Sequence, residues 1–156
     1  MDIRHLLKEM GNQTGLGDIV LDENNVCRLV FDDKLAVDVE ALPDGKKFYI
    51  HASVGPTPFE NRATLFEEVL AANLFGQGTA GATLALDRDL GEIILFREFE
   101  TEKTDYQEFV SALEVFLSRL EYWTERVSSG EGVTTEEGPG DRGREETPPE
   151  GPMIRI

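Results

Sequence analysis

Cysteine, histidine and cationic residues are scarce in this chain, and each scarcity excludes a class of function. The single cysteine, Cys27, permits no intrachain disulfide, so nothing favours an oxidising compartment and a cytoplasmic location is the default. With only two histidines, His5 and His51, the chain cannot form a usual structural zinc site without carboxylate ligands. Fifteen Lys and Arg against 31 Asp and Glu give a formal net charge of −16, which makes nucleic acid and anionic membranes poor partners.

Long apolar runs are also missing. No run approaches the roughly 20 residues that a membrane-spanning helix needs, so no membrane insertion is expected. The first ten residues carry acidic side chains and no unbroken apolar stretch, which is not the pattern of a secretory signal. A length of 156 residues with 40% hydrophobic content predicts one soluble domain with a modest core. The acidity either favours a basic or amphipathic polypeptide as partner or serves only to keep the protein in solution.

The motifs of familiar enzymes and cofactor sites are absent or misplaced. Neither Gly-x-Ser-x-Gly nor His-Glu-x-x-His occurs in the chain. The segment 76–81 matches Gly-x-Gly-x-x-Gly, but it follows a predicted helix and precedes a predicted strand, the reverse of a dinucleotide fingerprint. A calcium loop starting at Asp22 would need Gly and Glu where Cys27 and Asp33 stand. No cofactor or metal is therefore expected, and a small enzyme or metal-binding protein is kept only as an alternative.

Four carboxylates lie close together in the sequence, at Asp32, Asp33, Asp38 and Glu40. Their density would suit paired acid and base catalysis. They fall on a predicted turn and on the polar face of a predicted strand, which favours a solvated surface instead. Cys27 lies within an apolar strand and is predicted to be a packed, unreactive thiol.

Three segments have the apolar spacing of amphipathic helices. The first has its apolar stripe at positions i, i+3, i+4 and i+7, and Gly11 and the glycines at 15 and 17 are predicted to end it. The start of the second is ambiguous, because capping boxes fit both at 57–60 and at 64–67, and Gly76 is predicted to stop it. The third is predicted to open at Thr104, with Gln107 three residues on, and to run to Val127.

Five segments predict strands, at 26–31, 35–40, 48–54, 82–86 and 92–99, from alternating or β-branched apolar residues. The segment 55–58, Gly-Pro-Thr-Pro, is predicted to break the sheet after the third strand, and 87–91 predicts a hairpin loop. The resulting order is α-β-β-β-α-β-β-α, an α+β domain whose helices pack on an antiparallel sheet. A composition break near Ser128 divides a folded domain, 1–128, from an acidic, Gly/Pro-rich tail, 129–156, which is predicted to be disordered.

Five short motifs carry a resemblance to a known family. They are the block 16–34, with Asn25 where many members have Gly; Val54-Gly55-x-x-Pro58; the Leu-x-x-Asn ending in 70–74; Gly78 to Leu86; and Leu120-Glu121-Tyr122-Trp123. In this order, over about residues 3–127, they resemble the class I type III secretion chaperones, the CesT/SycE-like or Tir chaperone family. Each motif is weak alone, whereas five in the right order are fairly specific.

The resemblance implies a homodimeric cytoplasmic chaperone without enzymatic activity. Such a protein would bind the N-terminal chaperone-binding region of one or more type III secreted effectors. It would keep that region soluble, non-globular and export-competent, and would present it to the secretion ATPase. The alternative within the same fold is a regulatory partner-switching chaperone that couples secretion to transcription.

The resemblance also assigns residues to two surfaces. The second helix would supply the dimer interface, with Leu65, Phe66, Val69, Leu70 and Leu74. The first helix and the first strands would supply the effector-binding surface, with Ile3, Leu6, Leu7, Met10, Leu29, Phe31, Leu35 and Val37. Periodicity alone does not separate a groove from a core, so the alternative for every one of these residues is simple burial.

Overall fold

The computed structural model describes residues 2–130 and confirms the predicted α+β order there. The helices are α1 Ile3–Thr14, α2 Arg62–Asn73 and α3 Tyr106–Ser129, and a 3-10 turn, Leu74–Gly76, follows α2. The strands are β1 Val26–Phe31, β2 Leu35–Ala41, β3 Lys47–Pro56, β4 Thr83–Asp87 and β5 Glu92–Glu100. Ser129 and Gly130 close α3, and the rest of the predicted tail lies outside the described residues. Within residues 2–130, no helix has both the length and the apolar character that crossing a bilayer requires.

The five strands form one antiparallel sheet in the order β1-β2-β3-β5-β4. Alternate side chains of each strand point to opposite faces. On one face, α3 packs against β2 and β3, and α1 packs against α3. The core lies between these layers, and its largest fully buried side chains include Phe48, Phe109 and Phe116. The other face carries no helix packed across it in residues 2–130, and we refer to it as the open face.

Gly11 lies inside α1, so the prediction that it ends the helix is wrong. A Cβ atom at position 11 would stand 1.8 Å from the carbonyl oxygen of Gly17, so only glycine lets the following segment fold back against the helix. The helix ends four residues later at Gly15, which has a left-handed φ of 71°. Its N-terminus is capped by Asp2, whose carboxylate accepts a hydrogen bond from the backbone N–H of Arg4 at 3.2 Å.

The third strand ends at Pro56, inside the segment 55–58 that is predicted to break the sheet, although not at its first residue. Gly55 and Pro56 remain in β3, opposite Ile93 and Glu92 of β5, after a register shift between Ser53 and Gly55. Gly55 has a φ of 136°, and a Cβ there would lie 3.0 Å from the side chain of Val127. The irregularity therefore lets β3 continue beneath the end of α3.

Two helix starts also differ from prediction. The second helix uses neither predicted capping box: it begins at Arg62 after Asn61, which has a left-handed φ of 54° and makes no side-chain cap bond. The third begins later than predicted, at Tyr106. Its N-cap is Asp105, whose carboxylate accepts a hydrogen bond from the backbone N–H of Glu108 at 2.8 Å.

Candidate functional site

The two edges of the sheet differ in what their backbone groups meet. On β4, the side-chain amide of Asn73 donates to the carbonyl oxygen of Leu84 at 2.9 Å, and its oxygen accepts from the Leu84 N–H at 2.9 Å. One side chain of α2 thus satisfies both backbone groups at a position near the start of the strand. This part of the edge is protected against pairing with another strand, whereas the next outward-facing backbone groups, those of Leu86, meet no hydrogen-bond partner within residues 2–130.

The β1 edge is closed only at its beginning. The backbone N–H of Val26 donates to the carboxylate of Asp22, and the Asp22 N–H donates to the Val26 carbonyl oxygen, both at 2.9 Å. Along an edge strand, the backbone groups of every second residue face outward, away from the sheet. After Val26, the outward-facing groups are therefore those of Arg28 and Val30. They meet no hydrogen-bond partner within residues 2–130, so this part of β1 is open to an added strand.

The predicted effector-binding residues lie mostly in the core. Phe31 and Leu35 are half-buried, directly opposite each other at the turn end of the β1–β2 pair. The other six are buried within the protomer and are Ile3, Leu6, Leu7, Met10, Leu29 and Val37. The structure therefore brings only Phe31 and Leu35 of this set to the surface, beside the open part of β1.

The predicted dimer-interface residues divide into two groups. Leu65 and Val69 are buried within the protomer, and Phe66 is half-buried against the core. Leu70 and Leu74, in contrast, are 71% and 55% exposed. The second group forms the apolar outer side of the end of α2.

Phe75 extends this exposed group and was not predicted. It is 91% exposed and has a left-handed φ of 51°, an unusual conformation for a bulky residue. The glycine loop behind it is tightly packed: a Cβ at Gly78 would lie 2.6 Å from that of Ala72, and Trp123 donates its indole N–H to the Gly78 carbonyl at 3.3 Å. As predicted, this loop follows a helix and precedes a strand, and its packing against α2 and α3 leaves Phe75 pointing outward.

Phe59 is a second exposed aromatic residue that the sequence interpretation missed. It lies in the segment between β3 and α2 and is 99% exposed. Neither Phe59 nor Phe75 belongs to an amphipathic stripe, so helical periodicity gave no signal for them. Their position next to predicted helix boundaries was the only available indication.

The open face is lined by charged and aromatic side chains. Arg28 donates from Nε and Nη2 to the two carboxylate oxygens of Asp38, each at 2.7 Å, and these hydrogen bonds lower the pKa of Asp38. Glu98 accepts from Lys47 Nζ at 2.7 Å and from the Tyr49 hydroxyl at 2.6 Å, and both bonds lower the Glu98 pKa. Each of these two carboxylates is therefore matched by a cation of the same face.

A depression of about 430 Å³ lies on this face, over β3 and the β4–β5 hairpin. Ile94 and Phe96 form part of its lining, and Tyr49 packs edge-on against Phe96 with ring centroids 6.1 Å apart. His51 Nε2 lies 3.3 Å from a carboxylate oxygen of Glu40, is buried and makes no hydrogen bond within residues 2–130. The depression thus combines an apolar floor with polar groups.

The residues weighed for catalysis are divided: Asp38, Glu40 and His51 line the depression, whereas Cys27, Asp32 and Asp33 lie outside it. Cys27 is half-buried, and burial, together with the charges of Asp38 and Asp22, raises the pKa of its thiol, which keeps it protonated at neutral pH. Asp32 and Asp33 are exposed on the β1–β2 turn, as predicted. In residues 2–130, no three His, Cys, Asp or Glu side chains are grouped as metal ligands.

Comparison with known proteins supports the resemblance that the motifs predicted. A Chlamydia pneumoniae protein designated CPj0713/CpB0740 is 27% identical over 130 residues, which cover 82% of this chain and 98% of that protein. The HopA1-SchA chaperone-effector complex contains a similar chain, with a TM-score of 0.68, 18% identity, and coverage of 79% of this chain and 93% of that one. The ExsC-ExsE complex contains another, with a TM-score of 0.67, 20% identity, and coverage of 80% and 92%. Residues 5–124 match the family model, and the protein belongs to the Tir chaperone protein (CesT) family.

Proposed function

We propose that this protein is a type III secretion chaperone of the bacterial cytoplasm. It binds the N-terminal chaperone-binding region of one or more effectors, keeps that region soluble, non-globular and export-competent, and presents it to the secretion ATPase. The observation that carries this proposal is the family match over residues 5–124. The structurally similar chain of the HopA1-SchA complex belongs to a chaperone-effector assembly, which is the kind of assembly proposed here.

The geometry favours the β1 edge as the place where an effector segment begins to bind. An extended peptide gains main-chain hydrogen bonds when it joins an open strand, and neighbouring side chains give it specificity. Val30 is 59% exposed, and Phe31 and Leu35 are half-buried beside it, so they offer apolar contacts to the added strand. The six buried residues of the predicted set hold α1 and the sheet together beneath this edge.

We further propose that two copies associate through α2. Leu70, Leu74 and Phe75 form an exposed apolar group whose burial in a two-fold contact would remove it from water. Leu65, Phe66 and Val69 support this group from the protomer's interior. Because Asn73 already bonds the backbone of Leu84 at the start of β4, side chains rather than strand pairing would dominate the contact there.

The proposal is tested by co-expressing the full chain with candidate effector N-terminal segments and measuring complex mass by light scattering. We expect a complex of two chaperone chains and one effector segment. Val30→Pro removes a backbone N–H that faces outward from the edge strand, a position where proline is tolerated. It should weaken effector binding about tenfold, because roughly one main-chain hydrogen bond to the effector and the contacts beside it are lost. Val30→Ala is the matched control, because it shortens the side chain and keeps the N–H.

Two results would contradict the proposal. One is a wild-type chain that is monomeric and binds none of the effector segments encoded beside secretion genes. The other is equal binding by Val30→Pro, Val30→Ala and the wild type, which would remove the β1 edge as the binding strand.

A further inference from the structure

Two carboxylates of the open face oppose each other without a cation. Asp87 of β4 and Glu92 of β5 are direct cross-strand neighbours next to the hairpin turn, and both line the depression. Like charges in directly opposed positions destabilise a strand pair. Within residues 2–130, neither carboxylate forms an ion pair with a Lys, Arg or His nitrogen, whereas Asp38 and Glu98 of the same face are both paired.

The position of Asp87 is fixed by the turn. One of its carboxylate oxygens accepts from the backbone N–H groups of Asp89 and Leu90, each at 3.0 Å. Its second oxygen makes no such bond in the described part of the chain. A preorganised acceptor therefore stands beside the Glu92 carboxylate, with free capacity for a donor from outside the protomer.

Apolar surface lies immediately beside this acidic pair. Ile94 and Phe96 follow Glu92 at every second position of β5, on the same face, and both are half-buried. Leu90, in the hairpin turn at the rim, is 71% exposed. Arg28 also lines the depression but is paired with Asp38, so a ligand with both apolar groups and positive charge complements the part around Asp87 and Glu92.

We propose that this depression binds a cationic amphipathic segment of the effector. A lysine or arginine of that segment lies between Asp87 and Glu92, and its apolar side chains cover Ile94 and Phe96. The inference rests on the proposed function and adds the chemistry of the segment that is recognised. The net charge of −16 attracts such a segment, and the open face begins at Arg28 and Val30, on the same β1 edge where the effector strand is proposed to join.

Removing the repulsion between Asp87 and Glu92 should have a measurable effect on both the stability of the free protein and its affinity for the segment. Asp87→Asn with Glu92→Gln removes two opposed charges and keeps a side-chain oxygen at position 87 for the turn. The melting temperature of the free protein should therefore stay the same or rise, because a like-charge pair is removed. Affinity for the cationic segment should fall at the same time, because its two counter-charges are gone. A purely structural role of the pair would instead lower the melting temperature.

The experiment uses the full chain and a labelled synthetic peptide of about 18 residues of Leu, Ala and Lys with an amphipathic pattern of helical period. Fluorescence anisotropy at low salt should show about fivefold weaker binding by the Asp87→Asn/Glu92→Gln variant, the effect of roughly one exposed charge pair, and a smaller difference at high salt. Glu108→Gln with Glu114→Gln changes the net charge equally on the exposed side of α3 and should leave the affinity unchanged. A peptide of shuffled order is the control for the apolar pattern.

Four outcomes would overturn the inference. Equal weakening by the two double variants, or equal binding of the shuffled peptide, would show attraction to net charge alone. A changed sedimentation coefficient of Asp87→Asn/Glu92→Gln would make the depression a contact between copies. An effector that binds this variant with full affinity but loses affinity for Val30→Pro would overturn only the inference. Failure of every effector to bind the wild type would overturn the proposed function, while the peptide titration would still decide the chemistry of the depression.

Discussion

Helices α1 and α2 both have 12 residues, but the apolar side chains of α1 lie on one face, whereas those of α2 are spread around the helix. In α1, Ile3, Leu6, Leu7 and Met10 are all buried, because the helix packs against α3 and the hydrophobic core. In α2, only Leu65 and Val69 are buried, while Leu70 is exposed at the C-terminal end. An apolar stripe shows that a helix needs a partner surface, and only the tertiary structure shows whether that partner belongs to the same chain.

The largest difference between the helices should appear when α1 is disturbed. Leu6→Ala leaves a cavity in a fully buried position, and we expect a loss of about 3 kcal/mol in the free energy of unfolding. Chemical denaturation followed by circular dichroism measures this loss, and Lys8→Ala, an exposed position of the same helix, is the control. If Leu6→Ala were as stable as the wild type but no longer bound effectors, the apolar residues of α1 would have to be assigned to the effector-binding surface.

The attachment of α2 should depend on an ion pair with α3 in addition to its buried apolar side chains. Arg126 of α3 is 7% exposed and donates from Nε and Nη2 to the Glu68 carboxylate at 2.6 and 2.7 Å. Glu68→Gln leaves the buried guanidinium without its counter-charge, and we expect about 2 kcal/mol of destabilisation. Hydrogen exchange should show faster opening of α2 amides than of α1 amides, whereas uniform acceleration would mean that the two helices open as one unit.

The smallest effect on protomer stability should come from the exposed end of α2. Leu70→Glu with Leu74→Glu removes no buried contact within the protomer, so the unfolding free energy should change by less than about 0.5 kcal/mol. The same change should weaken the proposed dimer by about 2 kcal/mol or more, measured as the dissociation constant in sedimentation equilibrium. Val115→Glu, at an exposed apolar position of α3, is the matched control. An unchanged dissociation constant would contradict the assignment of α2 to the interface.

The sequence predicts the elements of this fold well because their periodicity is local. The alternation that places Phe48, Ile50 and Ala52 on one side of β3 is visible in the chain and confirmed in the structure. The wrong element boundaries occur where contacts between residues distant in the sequence determine the local conformation. Gly11 stays helical because Gly17 packs on it, and β3 passes through Gly55 because β5 pairs with it and Val127 crosses above.

The candidate surfaces were harder to predict than the fold. The motifs predicted the family correctly. Whether an apolar residue of α1 or α2 is buried or exposed depends on how the helices pack on the sheet, so the sequence pattern could not separate core residues from surface residues. Asp87 and Glu92 lie directly opposite each other because of the register between β4 and β5. The sequence predicts a hairpin loop between these strands but not their register. Phe75 escaped notice because its exposure depends on how the glycine loop packs against Ala72.

The clamp of Asn73 on Leu84 has a consequence for assembly. A sheet with two open edges can add further copies of itself at both ends and grow without limit. Here the side chain of Asn73 already bonds the backbone of Leu84, so another strand that paired with the start of β4 would first have to displace it. On β1 the backbone groups of Arg28 and Val30 need no such displacement, so the single amide of Asn73 makes β1 the easier edge for a guest strand.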